Sequence, residues 1–193
     1  MTIGTVIGVV SAIGSLLFTG IATYYGAVIA QQQVDQSRDD SEKDARSQAE
    51  RVTFWIEEDF ATEDRALHLV NRSLDAVTEG DVLLNTTYKG KGYELILPDI
   101  SLPPCAEAIF KNAEMGALIA RNAVGQVDLK DTGWDVGLFG FTDNAGQRWV
   151  RSPSFLKHPE KAQEALLEAK TDGLVRAAGP IKTTALNECG SDK

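Results

Sequence analysis

The stretch Phe141-Thr142-Asp143-Asn144-Ala145-Gly146-Gln147-Arg148-Trp149-Val150-Arg151 decides how the rest of the chain is read. Two β-prone runs, one ending at Thr142 and one spanning Arg148 to Arg151, flank four residues of turn chemistry. Asn144 and Gly146 tolerate the positive φ of a tight connection, and Gly146 suits the bulge position of a type I turn with a G1 bulge. The stretch therefore predicts a β-hairpin. Its acids do not read as a calcium loop, because no D-x-D-x-D-G pattern with a closing Glu is present.

Outward from the hairpin, the residues after Arg51 alternate short apolar runs with polar or Gly/Pro-containing turns. Strands are expected over Val52 to Glu57, Ala66 to Asn71, Asp81 to Tyr88, Tyr93 to Leu97, Glu107 to Phe110, Trp134 to Thr142 and Arg148 to Arg151. In the first, Val52, Phe54 and Ile56 alternate with Thr53, Trp55 and Glu57, which turns one apolar face inward. Short strands at such spacing predict a β-sandwich, and seven is the minimum immunoglobulin-like number. Leu102-Pro103-Pro104 lacks two backbone donors and must bound a strand or lie on an edge. Residues 111–132 are ambiguous between a short helix and a strand pair, since their apolar spacing fits neither period well. Pro159 opens a helix-like stretch, PEKAQEALLEAK, and the remainder reads as a weakly structured tail.

Upstream the texture differs. Residues 3–30, IGTVIGVVSAIGSLLFTGIATYYGAVIA, contain no charge and exceed the about 20 apolar residues that cross a bilayer as a helix. Tyr24 and Tyr25 near one end suit the membrane interface. Val28-Ile29-Ala30 has the spacing of a signal-peptidase site. An uncleaved anchor is preferred, because no Lys or Arg precedes the run and it is far longer than a signal-peptide core. Gly4, Gly8 and Ala12, and again Ala22, Gly26 and Ala30, recur every four residues; small residues are common in membrane helices anyway, and a homo-oligomer through close helix approach is the sharper alternative. Arg38, Lys43, Arg46 and Arg51 all follow the run, so the positive-inside rule puts the C-terminal domain in the cytoplasm.

Residues 31–50, QQQVDQSRDDSEKDARSQAE, have almost nothing to bury and no heptad seam. Asp39 with Lys43 and Glu42 with Arg46 favour an exposed helix, read as a solvated stalk. The expected organisation is thus an anchor at 1–30, a stalk at 31–50, a β-sandwich at 51–153, and a short helix with a flexible tail at 154–193.

All 28 acids and 19 bases lie beyond the anchor, and the net charge of −9 argues against nucleic acid as a partner. Cys105 and Cys189 are too few for a disulfide framework; they are read as two independent thiols, with a single bridge left open. No G-x-S-x-G, H-E-x-x-H, Walker A loop or G-x-G-x-x-G occurs. His68, flanked by Leu67 and Leu69, is expected on the opposite sheet face as a surface or satisfied histidine, and His158 bounds the helix-like stretch. Glu57, Glu58 and Asp59 read as a solvated edge. Trp55, Trp134 and Trp149 read as core fillers, with an outer-face aromatic patch as the sharper alternative. No catalytic, cofactor or metal residues emerge.

Val70-Asn71-Arg72-Ser73, Leu102-Pro103-Pro104, the FTDNAGQRWVR hairpin and the AERVTFW start together resemble uncharacterised actinobacterial single-pass membrane proteins with an immunoglobulin-like sandwich. The resemblance covers roughly residues 50–151 and implies architecture and origin without an activity. The functional expectation is a membrane-anchored, non-enzymatic module that meets the lipid bilayer through residues 3–30 and binds an unidentified protein through loops or a sheet edge. The alternative is an enzyme or small-ligand protein whose site is assembled from distant residues.

Overall fold

The computed structural model describes residues 3–59, 64–119, 124–159, 172–177 and 181–189, with side chains from Thr19 onward except at residue 131. The chain is mainly β, with one N-terminal helix and two sheets. It divides into two compact units, Met1–Asp44 and Ala45–Lys193.

Helix α1 (Ile3–Glu50) fills the described part of the first unit and supplies the opening turn of the second. In the first unit Thr23 Oγ1 donates to the Thr19 carbonyl at 2.8 Å, and Ile21, Tyr24, Tyr25 and Ile29 are exposed. Lys43 pairs with Asp40 at 3.9 Å, one residue away from the partner that the four-residue spacing suggested. Both side chains are well solvated, so the pair contributes a few tenths of a kcal/mol at most. Among the described residues no helix is long and apolar enough to cross a membrane. The side chains of residues 3–18, the larger part of the expected span, lie outside the described residues.

In the second unit the first sheet orders β1 (Val52–Asp59), β2 (Asp64–Asn71), β5 (Ala106–Lys111) and β12 (Thr183–Ala185). The second orders β10 (Leu156–Lys157), β9 (Arg148–Arg151), β8 (Gly133–Thr142), β3 (Val77–Tyr88), β4 (Lys91–Leu102), β11 (Gly173–Ala177), β6 (Met115–Ile119) and β7 (Gly125–Asp128). Neighbours are antiparallel except β4 and β11, which run parallel. Leu67 and Leu69 of the first sheet join Leu84, Leu95, Phe139 and Trp149 of the second in one buried layer. Each such side chain stabilises the fold by about 1.5–3 kcal/mol on burial.

The expected hairpin is β8–β9. Asp143 N–H donates to the Gln147 carbonyl at 3.0 Å, Gln147 N–H donates to Asp143 Oδ1 at 2.8 Å, and Gly146 has φ 77°. In β8 the inward positions change parity, from Trp134 and Val136 to Phe139 and Phe141. The pairing with β3 slips between Leu83 and Leu84 to allow it, at Gly137, where a Cβ would come within 2.9 Å of Asn85 Nδ2. A glycine bulge thus keeps four large side chains on one face despite a broken alternation.

One open assignment is decided and two expectations change. Of the short helix and the strand pair left open for residues 111–132, the described residues hold the strand pair, β6 with β7, and 3-10 turns at Asn112–Glu114 and Leu129–Asp131. The tail is not loose: β11 is inserted between β4 and β6, and β12 pairs with β5. Cys105 and Cys189 are not independent thiols but a disulfide with Cα atoms 5.4 Å apart. The short helix expected at 159–170 falls on 160–171, outside the described residues.

The end of α1 belongs to the core. Ala49 is fully buried, and Arg151 Nη2 from β9 donates to the Ala49 carbonyl at 3.4 Å and the Glu50 carbonyl at 3.1 Å. A cation therefore meets the negative end of the helix, whose own last turn has no base. Burial lowers the Arg151 guanidinium from its ordinary value, and the Glu50 carboxylate works against that shift.

The bridge closes a loop between residues 84 apart in sequence. Replacing both cysteines, Cys105→Ser with Cys189→Ser, should lower the unfolding free energy by about 2–4 kcal/mol in urea titrations. An unchanged midpoint would show that the tail is held without the bridge.

Candidate functional site

The outer face of the first sheet holds a cluster that lies outside the apolar core. Burial of Leu67 and Leu69 turns His68 outward, and the strand register sets Trp55 of β1 directly across from it. His68 Nδ1 lies 2.7 Å from Glu107 Oε1 on β5, and Nε2 lies 2.9 Å from Glu57 Oε2 on β1. Both ring nitrogens therefore lie within hydrogen-bonding distance of a carboxylate oxygen, one from each flanking strand. The Trp55 indole lies flat on this ring, with centroids 4.8 Å apart and planes 12° from parallel.

The stack fixes both rings. His68 is only 7% exposed on an outer face, whereas Trp55 remains 41% exposed. Glu57 keeps 69% of its side chain in solvent, against 19% for Glu107. The histidine is thus a satisfied one that clamps three strands and backs an exposed aromatic surface. Glu107 lies 39 residues from His68 in sequence, and no local motif announces it.

The other candidates take structural roles. Trp134 and Trp149 are buried, and their indole N–H groups donate to Asn112 Oδ1 at 2.7 Å and Asp143 Oδ2 at 2.8 Å. Glu58 pairs with Arg65, which also donates to the Trp134 carbonyl and so ties the two sheets together. His158 packs against Trp149 with ring centroids 4.1 Å apart and planes tilted by 31°, and donates from Nδ1 to the Arg148 carbonyl at 3.3 Å. The acid of the hairpin turn, Asp143, serves the turn and Trp149.

Two of the four stretches singled out in the sequence, Val70–Ser73 and Leu102–Pro104, meet at one corner. Asn71 Nδ2 donates to the carbonyls of Asp75 at 2.7 Å and Pro103 at 2.9 Å, while its Oδ1 accepts from the Ser73 hydroxyl at 2.7 Å. A buried amide with these partners is a fold-setting group.

A cleft of about 720 Å³ opens at the end of the second sheet, lined among others by Arg65, Asn85, Glu94, Trp134, Asp135 and Asp172. Several of these groups are already engaged. Asp172 Oδ2 accepts from the Glu94 N–H at 2.8 Å, and Asp135 Oδ1 accepts from the Val136 N–H at 2.7 Å. Among the described residues no group of three or more His, Cys, Asp or Glu side chains is placed to hold a metal ion.

One tryptophan of three should therefore be open to a neutral quencher. Acrylamide should quench a single component of the emission, and Trp55→Phe should remove it; quenching that survives this substitution would mean Trp134 or Trp149 is accessible. His68→Ala should cost about 1–2 kcal/mol of stability, since it strands the buried side of Glu107. Compared with known proteins, the chain matches no family model, no curated protein and no solved structure.

Proposed function

We propose that the chain is a membrane-anchored, non-enzymatic interaction module, with residues 3–30 in lipid, residues 31–50 as a spacer and the outer face of the first sheet as the binding surface. The observation that carries this reading is Trp55, a large aromatic ring held rigid by the His68 stack yet 41% exposed. Binding a partner there loses little side-chain freedom, and aromatic anchors of this kind dominate interface energetics. The ionisable groups around the ring are engaged with one another, which favours recognition over acid–base chemistry.

Several features support the rest of the proposal. The uncharged run at 3–30 and the exposed Ile21 and Ile29 suit a lipid surroundings, and Ala22, Gly26 and Ala30 suit self-association of the anchor. Charge distribution alone favours a cytoplasmic domain. The Cys105–Cys189 bridge weighs the other way, because disulfides persist in oxidising compartments, and we favour the exported side. An immunoglobulin-like assignment is supported by strand order: β1-β2-β5 and β4-β3-β8-β9 follow the connectivity of strands A-B-E and C′-C-F-G. On that reading β6 and β7 are an insertion and β11 and β12 an addition, within a lineage like the actinobacterial proteins named above.

A photoreactive amino acid at Thr53, on the same face as Trp55, tests the proposal in membranes that hold the full chain. A discrete protein adduct from Thr53, with the chain resistant to alkaline extraction and the sandwich open to protease from outside, is the expected result. Recovery of the chain in the supernatant, or adducts with lipid alone, would overturn it.

A further inference from the structure

We infer that the open edge of β1 accepts an extended segment of a partner protein bearing an arginine opposite Trp55, an inference that rests on the interaction-module reading. Among the described residues strand β1 ends the first sheet and pairs with β2 on one side only. Its other side presents backbone donors and acceptors to an added strand.

The geometry around Trp55 specifies what that strand carries. One face of the indole is covered by His68, the residue directly across on β2, at a centroid distance of 4.8 Å. This equals the spacing of neighbouring strands, about 4.8 Å. A residue directly across on an added strand would therefore meet the second indole face just as His68 meets the first. Two residues along, on the same face of β1, Glu57 keeps 69% of its side chain in solvent. Diagonal neighbours on adjacent strands are about 7–8 Å apart, within reach of a long side chain.

Arginine satisfies both demands. Its planar guanidinium stacks on an indole and forks onto a carboxylate, which the compact ammonium of lysine does less well. Charge favours the same choice. Glu57 and Glu107 both flank one histidine, so acidic groups outnumber basic ones beside the ring. A second copy of this chain is the less complementary occupant, since each copy has a net charge of −9. Glu57, Glu58 and Asp59 close the strand with the kind of charge that discourages edge-to-edge self-pairing.

The test uses the full chain in detergent micelles and a blocked nine-residue peptide of alternating threonine and valine with one central residue varied. Amide exchange across residues 52–59 reports edge binding, and Trp55 emission reports stacking. With arginine at the centre the peptide should protect β1 and bind about tenfold more tightly than with glutamine, and glutamate should abolish binding. Trp55→Phe, which keeps an aromatic filler, and Glu57→Gln, which keeps a polar group beside His68, should each weaken the arginine peptide several-fold while the amides of β2 and β5 keep their protection in the free chain. Equal binding of all three peptides would overturn the arginine assignment and leave the interaction module standing. Absence of β1 protection by any peptide, or the same protection arising from self-association of the chain, would overturn edge docking. Loss of the Thr53 adduct in membranes, by contrast, would strike the interaction-module reading itself.

Discussion

Two sheets that each carry one apolar face can hide it only against the other, and the rest of the second unit follows from that burial. The requirement fixes which residues of each strand point inward: Val52 of β1, Leu67 and Leu69 of β2, Leu84 of β3, Leu95 of β4, and Phe139 and Phe141 of β8. It also fixes what points outward. Because Leu67 and Leu69 face the core, His68 faces the opposite side of the sheet, and the cross-strand register then delivers Trp55 to its ring. The candidate surface is a consequence of the core, held in place without a dedicated loop. Where the alternation fails, at Gly137, a bulge restores it, so the inward layer has priority over strand regularity.

Polar groups are recruited to serve that layer. The indole N–H groups of Trp134 and Trp149 would be costly to bury unpaired, and Asn112 and Asp143 meet them at hydrogen-bonding distance. Arg65 spans from Glu58 on β1 to the carbonyl of Trp134 on β8, and Arg151 takes the last carbonyls of α1. The helix end is thereby fastened to the second sheet through β9 as well as through Ala49. At the opposite pole of polarity, the Asn71 amide joins the 71–75 turn to the Pro103 corner, and the disulfide brings the C-terminal residues to the neighbouring Cys105.

Local patterns made the strands around Val52, Ala66 and Arg148 readable, along with the hairpin at Asp143 and the outward direction of His68. Each of these depends on residues within one strand or one turn. What stayed hidden depends on pairing across the chain. The weak alternation of MGALI becomes a strand because β11 and β7 flank it, and Gly173 enters where a Cβ would lie 2.0 Å from the Leu118 carbonyl oxygen. Two cysteines at positions 105 and 189 hold no spacing signal for their bridge. The same holds for the candidate surface: Trp55, Glu57 and His68 were all noticed separately, yet Glu107, which completes the clamp, comes from a third strand.

Edge docking requires the outer side of β1 to be open in the free protein. Residue-resolved amide exchange on the full chain measures this directly. Alternate amides between Thr53 and Glu58, those directed away from β2, should exchange at rates close to those of surface turns, while the intervening ones share the protection of β2. Uniform protection along β1 would mean that something already covers the edge, and would contradict the account.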